Sequence, residues 1–306
     1  MKVGIIGVGY WGKKHVDEYS KLGFKTMISD LSESNLQFCK MNYQSTIISD
    51  YKDILNNNEI QVVSICTPNS THYKICTEAL NSGKNVLLEK PISTNSSDAT
   101  KLLKIAEKKR LTLMIGHIFR FNNAIRKIKE LIRAKQLGKI YTINFSWTNY
   151  EPVFFDRDIL FDLGVHPFDI VDNIFGNSPK NIQCIGKGFR QKCVETAYIN
   201  FELEDAEKQK VLVNMELSWL NPIRNRRMII VGSEKTANVD CVNQTISLIN
   251  NQSGITESLN VTPNNTIRDE LQYFVNRSLG KQEFDIDEPN GIVGKRIIEH
   301  IESIKN

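Results

Sequence analysis

Most features that would place this chain in an easy class are missing from it. None of the six cysteines, Cys39, Cys66, Cys76, Cys184, Cys193 and Cys241, belongs to a CxxC pair or a Cys/His cluster with zinc-site spacing. No metal site or disulfide scaffold is therefore implied. Scattered cysteines in a chain of this size point to reduced thiols and a cytoplasmic address. No apolar run approaches the roughly 20 residues a membrane helix needs. The apolar stretch at the amino terminus is too short, and too broken by glycine, for a signal peptide. Long basic runs, repeats and low-complexity tracts are lacking as well. The 39 basic and 35 acidic residues are spread along the chain and leave a formal charge of +4. That excess is too small to argue for nucleic acid, although it tolerates an anionic ligand.

What remains is a globular composition, 41% hydrophobic and 24% charged over 306 residues, long enough for two domains. Up to about residue 120, short β-branched runs alternate with helical stretches. Strands are expected at 2–6, 24–29, 61–66, 85–88 and 111–115, and helices at 10–21, 31–41, 72–81 and 95–110, with Ser32 as a cap. Such alternation of fully apolar strands with helices predicts a doubly wound parallel sheet. Beyond it the grammar changes. Helices at 122–134 and 159–175 flank a strand at 139–148. Strand-like runs then follow at 182–188, 195–202, 211–219, 227–231, 237–240 and 245–249. Strands in series predict a large, mostly antiparallel open sheet in an α+β domain. Helices near 266–279 and 289–304 close the chain. The division expected is 1–120 and 121–306, the last helix being a candidate to pack back on the first domain.

Three of the four glycines in the first dozen residues, Gly7, Gly9 and Gly12, fall after a strand and at the start of a helix. In that context GxGxxG has a mechanical meaning. The first glycine allows a tight turn, the second admits a pyrophosphate to the backbone, and the third lets helix and strand lie close. The helix N-terminus offers unpaired N–H groups to the phosphates. Asp30 ends the second strand 18 residues after Gly12, where a carboxylate is expected to bind the ribose 2′-hydroxyl of NAD. No arginine adjoins it to neutralise a 2′-phosphate, so NAD is favoured over NADP. The plain alternative is an ordinary turn and a loop aspartate.

Ligands of such sheets bind beyond the carboxyl ends of the strands. Two of those ends carry Thr67-Pro68-Asn69 with His72, and Glu89-Lys90-Pro91. A lysine there suits stabilisation of a developing alkoxide, although most lysines are simply solvated. Farther on, Asp162 and His166 are spaced to share one helix face, a pairing suited to proton transfer near neutral pH. Pro167 implies that this helix begins nearby or is distorted. A capping aspartate beside a core histidine has the same spacing.

The motifs GVGYWG, CTPNSTH, EKP, GHIFRFN and DLGVHPFD occur in this order. With them the chain resembles, over essentially its whole length, the Gfo/Idh/MocA oxidoreductases, which include inositol dehydrogenases, glucose–fructose oxidoreductase and several nucleotide-sugar dehydrogenases. The resemblance implies an NAD-binding Rossmann domain and a substrate-binding α+β domain whose sheet serves a homodimer or homotetramer. It makes Lys90, Asp162 and His166 catalytic, with the Lys90–Pro91 bond cis. It places Tyr10, Trp11, Thr67, Pro68, Asn69, His72, Glu89 and Arg120 with the glycines and Asp30 at the cofactor. His15, His117 and His300 remain structural. The reaction implied is oxidation of a secondary alcohol: His166 accepts the proton, Asp162 orients it, and Lys90 steadies the oxygen, with some exchange of roles between the two bases.

The stretch Ser218-Trp219-Leu220-Asn221-Pro222, followed by Arg224, Arg226 and Arg227, resembles relatives from nucleotide-sugar pathways, including enzymes that oxidise C3 of UDP-N-acetylglucosamine or its uronic acid. Clustered arginines suit a pyrophosphate, and equally suit a solvated strand or an interface. Arg157 is a second candidate for an anionic group. The expected substrate is a sugar or nucleotide sugar. A free sugar or cyclitol of the myo-inositol type, an NAD-dependent glycosidase and a non-catalytic regulator are the alternatives.

Overall fold

The computed structural model describes residues 1–154, 157–283, 285 and 287–305. Its contacts divide the chain into two compact units, Met1–Ile118 with Asn265–Ile298, and Phe119–Asn264 with Glu299–Asn306. No described helix is long and apolar enough to cross a membrane.

In the first unit, β-branched runs form β1 (Lys2–Ile6), β2 (Lys25–Ser29), β3 (Thr46–Ile47), β4 (Ile60–Ile65), β5 (Asn85–Leu88) and β6 (Leu113–Ile115). Between them lie α1 (Tyr10–Lys21), α2 (Glu33–Tyr43), α3 (Tyr51–Asn56), α4 (Asn69–Asn81) and α5 (Ser96–Lys109). The strand order is β3-β2-β1-β4-β5-β6, and every described pairing among them is parallel. Consecutive residues such as Val62 and Val63, or Val86 and Leu87, are wholly buried. Neighbours on a strand point to opposite faces, so both faces of this sheet are covered, as parallel sheets require. The order reverses between β2 and β4 on either side of β1, which is where a doubly wound sheet opens its crevice.

The expected doubly wound parallel sheet is present, with local differences. β3 and α3 are too short to show a period. The cap of α3 is Asp50, which accepts from the Lys52 N–H at 2.9 Å. The expected cap of α2, Ser32, accepts from the Asn35 N–H at 3.4 Å. α4 starts at Asn69, ahead of the 72–81 expected, because Pro68 stands at its cap position with no N–H to leave unpaired. α8 (Thr266–Ser278) and most of α9 (Gly291–Lys305) complete the unit. The Ile115 N–H donates to the Pro289 carbonyl at 2.7 Å, which protects the outer edge of β6.

The second unit begins with α6 (Asn123–Arg133) and β7 (Ile140–Tyr150), then a π turn (Leu160–Gly164) that runs into α7 (Val165–Phe175). β8 (Lys180–Lys187), β9 (Thr196–Glu204), β10 (Lys210–Ser218), β11 (Leu220–Gly232), β12 (Lys235–Asp240), β13 (Thr245–Asn250) and β14 (Thr256–Leu259) follow. They assemble in the order β14-β13-β12-β11-β7-β10-β9-β8. Pairing is antiparallel except between β7 and β10. The exception arises because α7, β8 and β9 intervene, and the chain re-enters beside β7 running the same way. β11 starts at Leu220 instead of 227, through a bulge between Leu220 and Asn225.

Alternation divides this sheet into two faces. Ile199, Phe201, Val213 and Met215 point inward and are buried, whereas Tyr198, Leu212 and Ile229 are exposed on the other side. The inner face is covered by α7 and its π turn. Phe168 stacks on Phe201 with ring centroids 5.6 Å apart. A Cβ on Gly164 would lie 3.2 Å from Leu217, so the turn rests directly on β10.

Candidate active site

Each glycine of the first turn has a different surrounding. Gly7 adopts φ +84°, a conformation that favours glycine, and a Cβ there would lie 2.8 Å from the Cys66 carbonyl oxygen. At Gly12 a Cβ would collide with the Gly7 carbonyl oxygen, while around Gly9 the space is open. The first residue turns the chain, the third lets α1 sit against it, and the second leaves backbone accessible. α1 has no side-chain cap and no acidic residue in its first turn, so its leading N–H groups remain for an external anion. Asp30 stands beside this turn, accepting from the Val8 N–H at 2.5 Å and the Ser32 N–H at 2.7 Å. Each oxygen keeps a lone pair for a hydroxyl donor. These residues fit a dinucleotide. Tyr10 and Trp11 lie in the first turn of α1, where the Lys14 ammonium sits 4.2 Å and 4.3 Å from their ring centroids.

The loops after β4 and β5 are tied together from within. Buried His72 places its ring nitrogens 2.7 Å from the Pro91 carbonyl oxygen and 2.9 Å from that of Thr67. Burial pulls the His72 pKa down, against the carbonyl contacts that raise it. Thr67 also accepts from the Thr71 hydroxyl at 2.7 Å, and Pro68 and Asn69 open α4. Lys90 stands two residues beyond the end of β5 and its bond to Pro91 is cis; its N–H donates to Glu89 at 3.3 Å. Glu89 is buried and lies 3.1 Å from His15 Nε2. Burial pushes its pKa up, but the hydrogen bond and charge of His15, with Lys90, prevail and hold it below the ordinary range. The opposite nitrogen, His15 Nδ1, lies 3.5 Å from the Cys66 sulfur. Cys66, His15 and Glu89 gather their donor atoms within 4.8 Å. Because the imidazole faces its two neighbours with different nitrogens, the arrangement is a hydrogen-bonded chain instead of a set converging on one ion.

In the second unit, Asp162 lies in the π turn and His166 in the first turn of α7. Pro167 accounts for this junction. It has no N–H for the carbonyl one turn back, and the regular helix starts at Val165, after the distorted turn. The Trp219 indole N–H donates to Asp162 at 3.2 Å. His166, 8% exposed, packs edge-on to Phe119 with centroids 5.2 Å apart, and Phe119 packs against Trp147 at 5.3 Å. Arg157 lies 4.6 Å from the Phe154 ring centroid, and Phe154 packs on Trp219. Arg120 has a role its motif did not announce: it donates to Asp169 at 2.6 Å and to Asp172 at 2.7 Å, two buried ion pairs that fasten the start of this unit to α7.

Of the arginines grouped in the sequence, Arg226 and Arg227 take opposite faces. Arg226 pairs across the strands with Trp147 on the inner face, and Arg227 pairs with Ser146 on the outer one. The packing of Phe119 and the buried Trp147 and Trp219 behind Asp162 and His166 was missed. Trp147 lies on β7, Trp219 between β10 and β11, and Phe119 just ahead of α6, and no spacing along the chain encodes their meeting.

Comparison with known proteins agrees with this architecture. Residues 1–117 match the model of the Gfo/Idh/MocA oxidoreductase family, NAD-binding Rossmann fold. Residues 125–238 match the Gfo/Idh/MocA C-terminal domain. The UDP-N-acetylglucosamine 3-dehydrogenase of Acidithiobacillus ferrooxidans is 23% identical over 313 residues, covering 97% of this chain and 94% of that protein. Its solved structure superposes with a TM-score of 0.85, over 99% of this chain and 96% of that one. The NADP-dependent scyllo-inositol 2-dehydrogenase of Bacillus subtilis is 26% identical over 222 residues, 69% of this chain and 62% of the relative.

Proposed function

Because this chain belongs to the Gfo/Idh/MocA oxidoreductase family, we propose that it oxidises a secondary alcohol of a sugar or nucleotide sugar with NAD. C3 of a UDP-N-acetylglucosamine-type substrate is the leading case. The observation that carries the redox reading is the first turn, open at Gly9, closed at Gly12 and flanked by a carboxylate held on two backbone N–H groups. NAD is preferred to NADP because Leu31 and Ser32, not an arginine, follow Asp30. The relative that acts on UDP-N-acetylglucosamine supports the substrate class by matching nearly the full length.

When bound, the nicotinamide supplies the hydride acceptor. The roles of the protein's own groups follow from their chemistry. His166 accepts the hydroxyl proton on its imidazole, a contribution of about 10²–10⁴ in rate. Asp162, steadied by the Trp219 indole, orients that imidazole and stabilises it when charged. The Lys90 ammonium donates to the carbinol oxygen as negative charge develops. Gly7, Gly9, Gly12, Tyr10, Trp11 and Asp30 hold the adenosine and diphosphate side, while Thr67, Pro68, Asn69, His72 and Glu89 shape the nicotinamide side.

Two further assignments accompany this reading. A second copy of the chain covers the outer face of the large sheet, where Ile185, Tyr198, Leu212 and Ile229 are exposed. Six free cysteines support a cytoplasmic address. The decisive experiment follows reduced cofactor by absorbance against UDP-sugars, free sugars and cyclitols, using wild type, Lys90→Ala and His166→Ala. Turnover of a UDP-sugar that both variants lose, with NAD binding kept, is the expected result. Normal turnover by the variants overturns the residue assignment, and a response to cyclitols alone overturns the substrate.

A further inference from the structure

Arg226 is a half-buried cation whose protein partners have no need of its charge. Its Nη1 donates to the Thr148 carbonyl at 2.9 Å and the Asn225 carbonyl at 2.7 Å, and its Nη2 donates to the Asn149 side-chain oxygen at 2.7 Å. All three acceptors are neutral, and a neutral donor would serve them. No described carboxylate hydrogen-bonds to this guanidinium. The Nε–H and the second Nη2–H remain uncommitted among the described residues. Burial and the neighbouring Arg224 charge pull its pKa down to about 10, with Asp162 and Glu151 acting in the opposite direction. A cation held this way is stabilised when an anion arrives.

Its position gives that anion a context. Arg226 lies on the inner face of the large sheet, in register with Trp147, with its guanidinium carbon 5.7 Å from the indole centroid. Trp147 is buried and packs on Phe119, which packs edge-on to His166. The Asp162 charge also reaches this guanidinium, so an anionic group on a substrate whose hydroxyl meets His166 has a cation within reach. Arginine pairs with carboxylate and phosphate through two parallel N–H donors, and two donors are uncommitted here.

We propose that Arg226 is a specificity residue that binds an anionic oxygen group carried by the substrate, either a carboxylate on the sugar or a phosphate of its nucleotide. The inference rests on the reading above, that the Asp162–His166 face receives a sugar. It singles out one arginine of the three grouped in the sequence and gives that arginine a ligand.

Calorimetric titration of the NAD-loaded full chain tests this with UDP, glucuronate and N-acetylglucosamine as probes, in wild type, Arg226→Gln and Arg226→Lys. The wild type is expected to bind UDP or glucuronate, and whichever binds identifies the source of the anion. Arg226→Gln, which keeps donors for the neutral acceptors, weakens that anion about tenfold or more and leaves N-acetylglucosamine within twofold. Arg226→Lys, which keeps charge but not the fork, falls between. If the Gln variant does not fold, the Lys variant alone decides, by a loss confined to the anionic probe. The proposal is overturned if neither anion binds wild type, or if the substitutions weaken neutral and anionic probes alike, the mark of a purely structural arginine. Anion binding without reduced cofactor from any sugar would refute the proposed reaction while sparing Arg226. Turnover of a neutral cyclitol without anion binding would do the reverse.

Discussion

The two units build their candidate sites from different material. In the first, the parallel sheet is buried on both faces, and the proposed cofactor site is mostly backbone: the turn at Gly7–Gly12, the leading N–H groups of α1, and loops pinned by His72 and Glu89. In the second, one sheet face is buried beneath α7, and the candidate site consists of side chains, Asp162 and His166 at the start of the covering helix, backed by the buried indoles of Trp147 and Trp219, with half-buried Arg226 on β11. A backbone site tolerates one residue type at each critical position. A side-chain site is set by register and by which face each residue takes.

The largest effects should separate the units. Gly12→Val drives a side chain into the Gly7 carbonyl and is expected to abolish the thermal shift produced by NAD. His166→Ala should lower turnover by about 10²–10⁴ and keep that shift. Equal loss of NAD binding in both variants would erase the distinction drawn here. Next in size is Trp219→Phe, which removes the indole donor of Asp162. Turnover should fall about ten- to a hundredfold, the worth of one hydrogen bond to a charged group, with cofactor affinity unmoved in isothermal titration.

A smaller effect concerns stability. Glu195 is buried and accepts from the Phe189 N–H at 2.7 Å, the Arg190 N–H at 2.6 Å and the Arg190 guanidinium at 2.7 Å. Burial raises its pKa, but these donors outweigh burial and hold it below the ordinary value. A depressed carboxylate stabilises the fold above its unfolded pKa and loses that contribution as pH falls through the folded one. Glu195→Gln should therefore lower Tm by a few degrees at pH 7, with the gap to wild type closing as pH drops below about 4. A gap that stays constant through acid would mean the carboxylate's charge is irrelevant. Smallest of all, Arg227→Ala on the outer face should change steady-state turnover less than twofold, whereas Arg226→Gln should not be silent.

Legibility followed the same division. The doubly wound sheet, the start of α1 and the cap at Ser32 could be read because burial on both faces, glycine sterics and capping act within a few residues. β3 and α3 could not, being too short for a period to repeat. Asp162 and His166 were legible as a spaced pair, and Pro167 announced the distortion that the π turn supplies. Arg120 was not legible: its partners Asp169 and Asp172 lie about fifty positions away, and nothing local distinguishes a buried triad from an exposed cation.

The amino-acid order alone determined the strand–glycine–helix opening, the alternation of buried strands with helices and the later run of alternating strands, because each depends on sterics and hydrophobic period over short distances. Tertiary structure decided which arginine faces the histidine's surface, that β10 lies parallel to β7, and that an indole steadies Asp162. Those outcomes depend on pairing register between strands far apart in the chain, where shifting a strand by one residue sends every side chain to the opposite face.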